Sequence, residues 1–159
     1  MIRFALIFGF PLLACASTQE VTAPTILPQT EWTQTDYNGK SHDLGAAMNG
    51  SNPVVLVFWQ TWCLSCLHEA PLLTAVAAEH PELMFLGVVS GDDDTVDAME
   101  VRRVASKIGI SYPQILDQDL SLTHALRIQG SPTIVVLGKD GRILERSHNA
   151  DLAWSTFAP

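Results

Sequence analysis

Six consecutive apolar residues, Val54-Val55-Leu56-Val57-Phe58-Trp59, lead straight into a pair of cysteines in VVLVFWQTWCLSCLHEAP. A run with no polar alternation is the mark of a strand covered on both faces, which places it inside a sheet with helices on either side. Where the run stops, helical spacing begins. Leu67, Ala70, Leu73, Val76 and Ala77 fall on one side of a helix expected from about Cys63 to Glu79. Cys63 is then in the first turn, and Cys66 lies one turn deeper on the same face.

That placement has chemical consequences. The first turn of a helix carries unpaired backbone N–H groups and the positive end of the dipole. Both favour thiolate over thiol, so Cys63 should ionise below the free-cysteine value of about 8.5. The spacing lets the two sulfurs meet in a disulfide and separates their roles: Cys63 exposed and attacking, Cys66 shielded and resolving. Three other uses of the pair compete with redox chemistry. Half a zinc site lacks its second C-x-x-C, and His42, His80, His124 and His148 show no ligand spacing. A purely structural bridge over so short a loop removes little unfolded-state entropy. A peroxidatic cysteine in the pattern P-x-x-x-T-x-x-C is opposed by Leu56 and Gln60, which occupy the Pro and Thr positions. A C-x-x-C beside alternating strands and helices is best read as a redox pair.

The rest of the chain sets the context. Its 159 residues suit one domain, and 47% hydrophobic content supports a core. With 9 basic against 17 acidic side chains, the charge argues against nucleic acid as a partner. MIRFALIFGFPLLACAS opens the chain like a secretory leader, with Arg3 ahead of an apolar run too short to span a bilayer. Leu12-Leu13-Ala14-Cys15 fits a lipoprotein box in which Cys15 is acylated, and Ala14-Cys15-Ala16 fits simple cleavage; the lipoprotein form is preferred. Export would place the thiols where disulfides persist. The expected division is a leader over 1–16, a polar tether over 17–30 and a folded domain over 31–159.

Within that domain Asn38-Gly39 marks a hairpin between Trp32–Thr35 and Lys40–Leu44. Leu83–Val89 and Pro113–Leu116 read as strands, and Leu120–Arg127 as a short helix. Asp92-Asp93-Asp94-Thr95 reads as a helix start, with Asp94 or Thr95 as cap, and Gly109 as its end. Thr133–Leu137 and Arg142–Arg146 bracket a turn at Lys139-Asp140-Gly141, and Leu152–Phe157 begins a last helix. The alternation points to an α/β sheet made mixed by hairpins at both ends.

FWQTWCLSCLHEAP and GSPTIVVLGKDGRI together resemble the TlpA/ResA branch of the thioredoxin-like thiol-disulfide oxidoreductases, over roughly residues 31–148. The resemblance implies a thioredoxin-like fold, with a central mixed β-sheet flanked by helices, an N-terminal β-hairpin and an αβ insertion over Asp92 to Leu126. It implies a redox-active Cys63–Cys66 disulfide, with Glu69 moving the proton that Cys66 must lose. It also implies that Pro132 is a cis-proline facing the sulfurs, and that the backbone of Ser131 pairs with a client chain. Trp62 is expected beside the sulfurs, shaping the contact surface, and Trp59 in the core or at its edge. Pro71, interior to the helix, should kink it. His68 falls on the solvated helix face.

The activity so implied is reduction of disulfides in exported proteins, apocytochrome c among them, with a membrane electron donor of the thiol-transfer type restoring the dithiol. No cofactor and no metal enters this scheme. Membrane attachment would be through a lipid on Cys15, in a periplasmic or other extracytoplasmic setting. Leu64-Ser65 replaces the proline-containing dipeptide common in relatives, and Gln60 stands where a small residue is usual; both bear on redox potential. Three alternatives stay open: action as a protein-thiol oxidant, carriage of copper(I) on the same two sulfurs, and an accessory protein that holds clients by strand pairing without turnover.

Overall fold

The computed structural model describes residues 26–91 and 95–158. The leader, Cys15 and most of the expected tether lie outside the described residues, as do Asp92, Asp93 and Asp94.

The elements follow in the order β1 (Thr33–Thr35), β2 (Ser41–Asp43), α1 (Leu44–Asn49), β3 (Val54–Phe58), α2 (Leu64–Glu79), β4 (Met84–Ser90), α3 (Ala98–Lys107), β5 (Gln114–Asp117), α4 (Ser121–Ala125), β6 (Thr133–Leu137) and β7 (Ile143–Ser147). The apolar run forms β3, the middle strand of a five-stranded sheet ordered β5-β4-β3-β6-β7. β3, β4 and β5 are parallel, while β6 is antiparallel to β3 and β7 to β6.

The side chains of β3 alternate between two cores, which is why none of its positions is polar. Val54, Leu56 and Phe58 join Leu44 and Met48 of α1 and Leu122 of α4. Val55 and Val57 join Leu73 of α2, Phe85 and Trp154. Fully burying each such side chain is worth about 1.5–3 kcal/mol before chain entropy is counted. Beyond the strand's end a third cluster packs Trp59, Cys63 and Cys66 against Val101, Val104 and Ala105 of α3.

Several expectations change on contact with the structure. The tether yields to packed chain by Ile26: Leu27 is buried, donates to the Gly141 carbonyl at 2.8 Å, and Ile26 bridges Arg142. A side chain at Gly141 would strike the Leu27 carbonyl, and the residue sits at φ 71°, so glycine is required in this turn on both counts. Leu44 leaves the hairpin to begin α1, a helix unmarked by periodicity but capped by Asp43, whose Oδ1 accepts the Ala46 N–H at 2.8 Å. The N-terminal hairpin forms a separate two-stranded sheet that touches the main one through Asp36 and Ile115. The mixed character of the sheet therefore comes from β6 and β7. α3 starts at Ala98, capped by Asp97 instead of Asp94 or Thr95. The last helix reduces to a single 3-10 turn, Trp154–Thr156, whose Trp154 ring packs in the core against Phe85, with centroids 5.5 Å apart.

Candidate active site

α2 begins with the reactive pair. Cys63 is its N-cap, in extended conformation, and its Sγ accepts the Cys66 N–H at 3.2 Å. Buried positions Cys66, Ala70 and Leu73 then follow at helical spacing, so one stripe carries both the inner sulfur and the core contacts. The helix runs through Pro71 as one element and stops at His80, ahead of Pro81.

Cys63 and Cys66 are joined in a disulfide with Cα atoms 5.2 Å apart. The expected contrast in exposure is small: Cys63 is 7% and Cys66 3% exposed. The outer sulfur is covered because the chain crosses over it, the Ser131 carbonyl oxygen lying 3.6 Å from Cys63 Sγ. That crossing is set by register. Phe58, at the end of β3, stands opposite Thr133, at the start of β6, so residues 131 and 132 meet the loop carrying the cysteines. The Ser131–Pro132 peptide is cis, as the resemblance implied.

Glu69 is half-buried, with its side chain 17% exposed, and its Oε2 accepts the Ala150 N–H at 2.7 Å. It lines a narrow cavity together with Cys66, Trp59, Ile110, Tyr112 and Pro132. Glu69 and Cys66 thus line the same small cavity. Burial pushes the Tyr112 hydroxyl far above its ordinary range, so that wall of the cavity stays neutral. His68 is on the solvated face, 82% exposed, with Nδ1 4.0 Å from Glu69 Oε1.

The tryptophans separate. Trp59 is buried and its Nε1–H donates to Gln114 Oε1 at 2.7 Å. Trp62 is 75% exposed and Leu64 81%, two apolar side chains left at the surface on either side of Cys63 in the chain. Trp62 lines an open groove that continues over Gln60, Ser90, Thr123 and the 128–131 segment. Gln60 is fixed there by donating to the Ser90 carbonyl at 2.7 Å. Ala150, Ser90 and Thr123 entered the site unannounced. Ala150 acts through its backbone, and the hydroxyls belong to strands and helices remote in sequence, so no local signal marks them. Among the described residues no group of three or more His, Cys, Asp or Glu is placed to hold a metal ion.

A sheet of this order, with a helix-capping disulfide under a cis-proline turn, is the thioredoxin-like fold. A solved secreted disulfide oxidoreductase of Mycobacterium tuberculosis, homologous to E. coli DsbE, superposes with a TM-score of 0.64 at 26% identity, covering 82% of this chain and 93% of that one. The chain belongs to the Redoxin family, whose model matches residues 20–153. The soluble secreted antigen MPT53 of Mycobacterium tuberculosis is 33% identical over 111 residues, 70% of this chain and 61% of that protein. The thiol-disulfide oxidoreductase ResA of Bacillus anthracis is 27% identical over 112 residues, 70% of this chain and 62% of that protein. The chain thus spans about three fifths of the length of these curated relatives.

Proposed function

We propose that this protein is an exported thiol-disulfide oxidoreductase that reduces disulfides in extracytoplasmic proteins through Cys63 and Cys66. The observation that carries the reading is the Cys63–Cys66 disulfide capping α2 beneath the Ser131–Pro132 turn. Unpaired N–H groups at a helix start favour negative charge on the outer sulfur once the bridge is reduced. That Glu69 and Cys66 line the same cavity supports Glu69 as the group that takes the proton of Cys66. Export rests on the leader-like N-terminus and on secreted relatives. Acylation of Cys15 would add the membrane anchor.

The cycle conserves electrons. The Cys63 thiolate attacks one sulfur of a client disulfide; a mixed disulfide forms and the client's other sulfur leaves as thiolate and takes a proton. Glu69 accepts the proton of Cys66. The Cys66 thiolate attacks Cys63 Sγ, re-forming the intramolecular bridge and releasing the client's remaining thiolate. Two electrons have passed to the client, and a membrane dithiol donor returns them. Ser131 offers its backbone to the client strand, with Trp62 as the apolar wall beside it. Apocytochrome c is one client this scheme accommodates.

The test is trapping. Cys66→Ser leaves Cys63 able to attack but nothing to resolve the product, so the variant should accumulate mixed disulfides with exported proteins. The wild-type pair should show a Cys63 that titrates below free cysteine, and a reduction potential low enough to donate electrons. A potential near that of strong oxidants would reverse the direction. Tight stoichiometric copper(I) with no trapped protein would point to metal carriage and end the enzymatic reading.

A further inference from the structure

Pro132 and Glu69, which line one small cavity with Cys66, are both held from one short segment that follows β7. Ala150 N–H donates to Glu69 Oε2 at 2.7 Å. Two residues earlier, His148 Nδ1 lies 2.9 Å from the Pro132 carbonyl oxygen and 3.3 Å from Thr133 Oγ1. The neighbours fix which atom carries the hydrogen. The Pro132 carbonyl can only accept. The Thr133 hydroxyl gives its proton to the Gly130 carbonyl at 2.7 Å, so toward His148 it also accepts. Nδ1 must therefore be the protonated nitrogen, and it donates in either charge state of the ring.

The segment is built to hold its shape. Ser147 Oγ donates to the Asn149 carbonyl at 2.8 Å, and Asn149 Oδ1 accepts the Asp151 N–H at 3.2 Å. The Ala150 carbonyl accepts Trp154 Nε1–H at 3.0 Å, which fastens the segment to the core. We propose that residues 148–150 are a strap that sets the Ser131–Pro132 turn and the Glu69 carboxylate at a fixed separation around Cys66. His148 is its positioning residue for exchange with protein disulfides.

The inference rests on the oxidoreductase reading and adds a selectivity to it. A protein disulfide must align its backbone with Ser131, whose placement depends on the anchored Pro132 carbonyl. A small disulfide needs only access to Cys63. Loosening the turn should penalise the first and spare the second. His148 is exposed, so its replacement empties no core.

Three variants make the test: His148→Asn, which puts an amide N–H where Nδ1 stands, His148→Gln, which puts it where Nε2 stands, and His148→Ala. Insulin serves as the protein disulfide and oxidised glutathione as the small one. His148→Ala and His148→Gln should lose about three- to tenfold in kcat/KM toward insulin, the size of one neutral hydrogen bond. His148→Asn should stay within about twofold of wild type. All three should match wild type toward glutathione, and each should melt within about 5 °C of wild type, the Asn variant nearest to it. Equal rates of wild type and His148→Ala on insulin overturn the proposal. So does an equal slowing on both substrates, or an Asn variant as slow as the Ala one. A wild-type protein inert toward both disulfides would instead sink the oxidoreductase reading itself.

Discussion

Replacing Glu69 by Gln isolates the proton step. The amide is nearly isosteric, and its oxygen can still accept the Ala150 N–H that Glu69 Oε2 accepts at 2.7 Å. What disappears is the negative charge and the site that takes a proton. The stability cost is modest: a hydrogen bond to a charged acceptor contributes about 1.5–3 kcal/mol and one to a neutral acceptor about 1, so roughly 1 kcal/mol is lost. The kinetic cost is larger. Cys66 is only 3% exposed, so bulk water reaches it poorly and a positioned base matters. General-base groups contribute about 10²–10⁴-fold. One carboxylate oxygen is already engaged by Ala150, which places the expectation at the lower end, about a hundredfold. The assay loads Cys63 as a mixed disulfide with thionitrobenzoate and follows release of the coloured thiol as Cys66 attacks. Glu69→Gln should slow this release about a hundredfold near neutral pH and recover toward alkaline pH, where hydroxide replaces the missing base. Loading of Cys63 should change little. Release within twofold of wild type across the whole pH range would remove Glu69 from the mechanism.

Two further expectations concern the frame around the site. Burial raises the Asp36 carboxyl, but hydrogen bonds from His42 and from the Lys40 and Asn38 N–H groups outweigh it and hold it below the ordinary 3.8. Its stabilisation of the hairpin is therefore complete above that pH and lost as pH falls beneath it. The protection of the Asn38 and Lys40 amides, taken relative to their intrinsic exchange rates, should fall only in that acidic range, and Asp36→Asn should remove this fall. Gln114→Leu would strip the buried Trp59 Nε1–H of its acceptor at 2.7 Å. The change also removes the Gln114 Nε2–H donor from the Tyr112 carbonyl at 2.8 Å. Chemical denaturation should therefore show a loss of at least about 1–3 kcal/mol, the cost of one orphaned buried group; an unchanged midpoint would mean that both groups find other partners.

The elements that were readable from sequence are those whose signal is carried by their own residues. β3 is five buried positions in a row, and α2 shows its buried stripe at Cys66, Ala70 and Leu73. The elements that were missed or misjudged depend on something else. α1 has no long stripe to display and is declared by the Asp43 cap. The chain from Trp154 to Phe157 has helical spacing, yet it forms only a single 3-10 turn, too short for its spacing to report the element.

By itself the sequence determined a covered strand that ends in a helix, and two thiols one turn apart at that helix's start. Those are local properties, written in hydrophobic spacing and in the geometry of a first turn. Only the tertiary structure decided what the sulfurs face. The Ser131 carbonyl reaches Cys63 across 68 residues of chain, and the Ala150 N–H reaches Glu69 across 81. Both contacts follow from how β6 registers against β3 and from where the chain beyond β7 comes to rest. Side-chain periodicity reports which face of an element is buried; it holds no record of which distant backbone will lie against it.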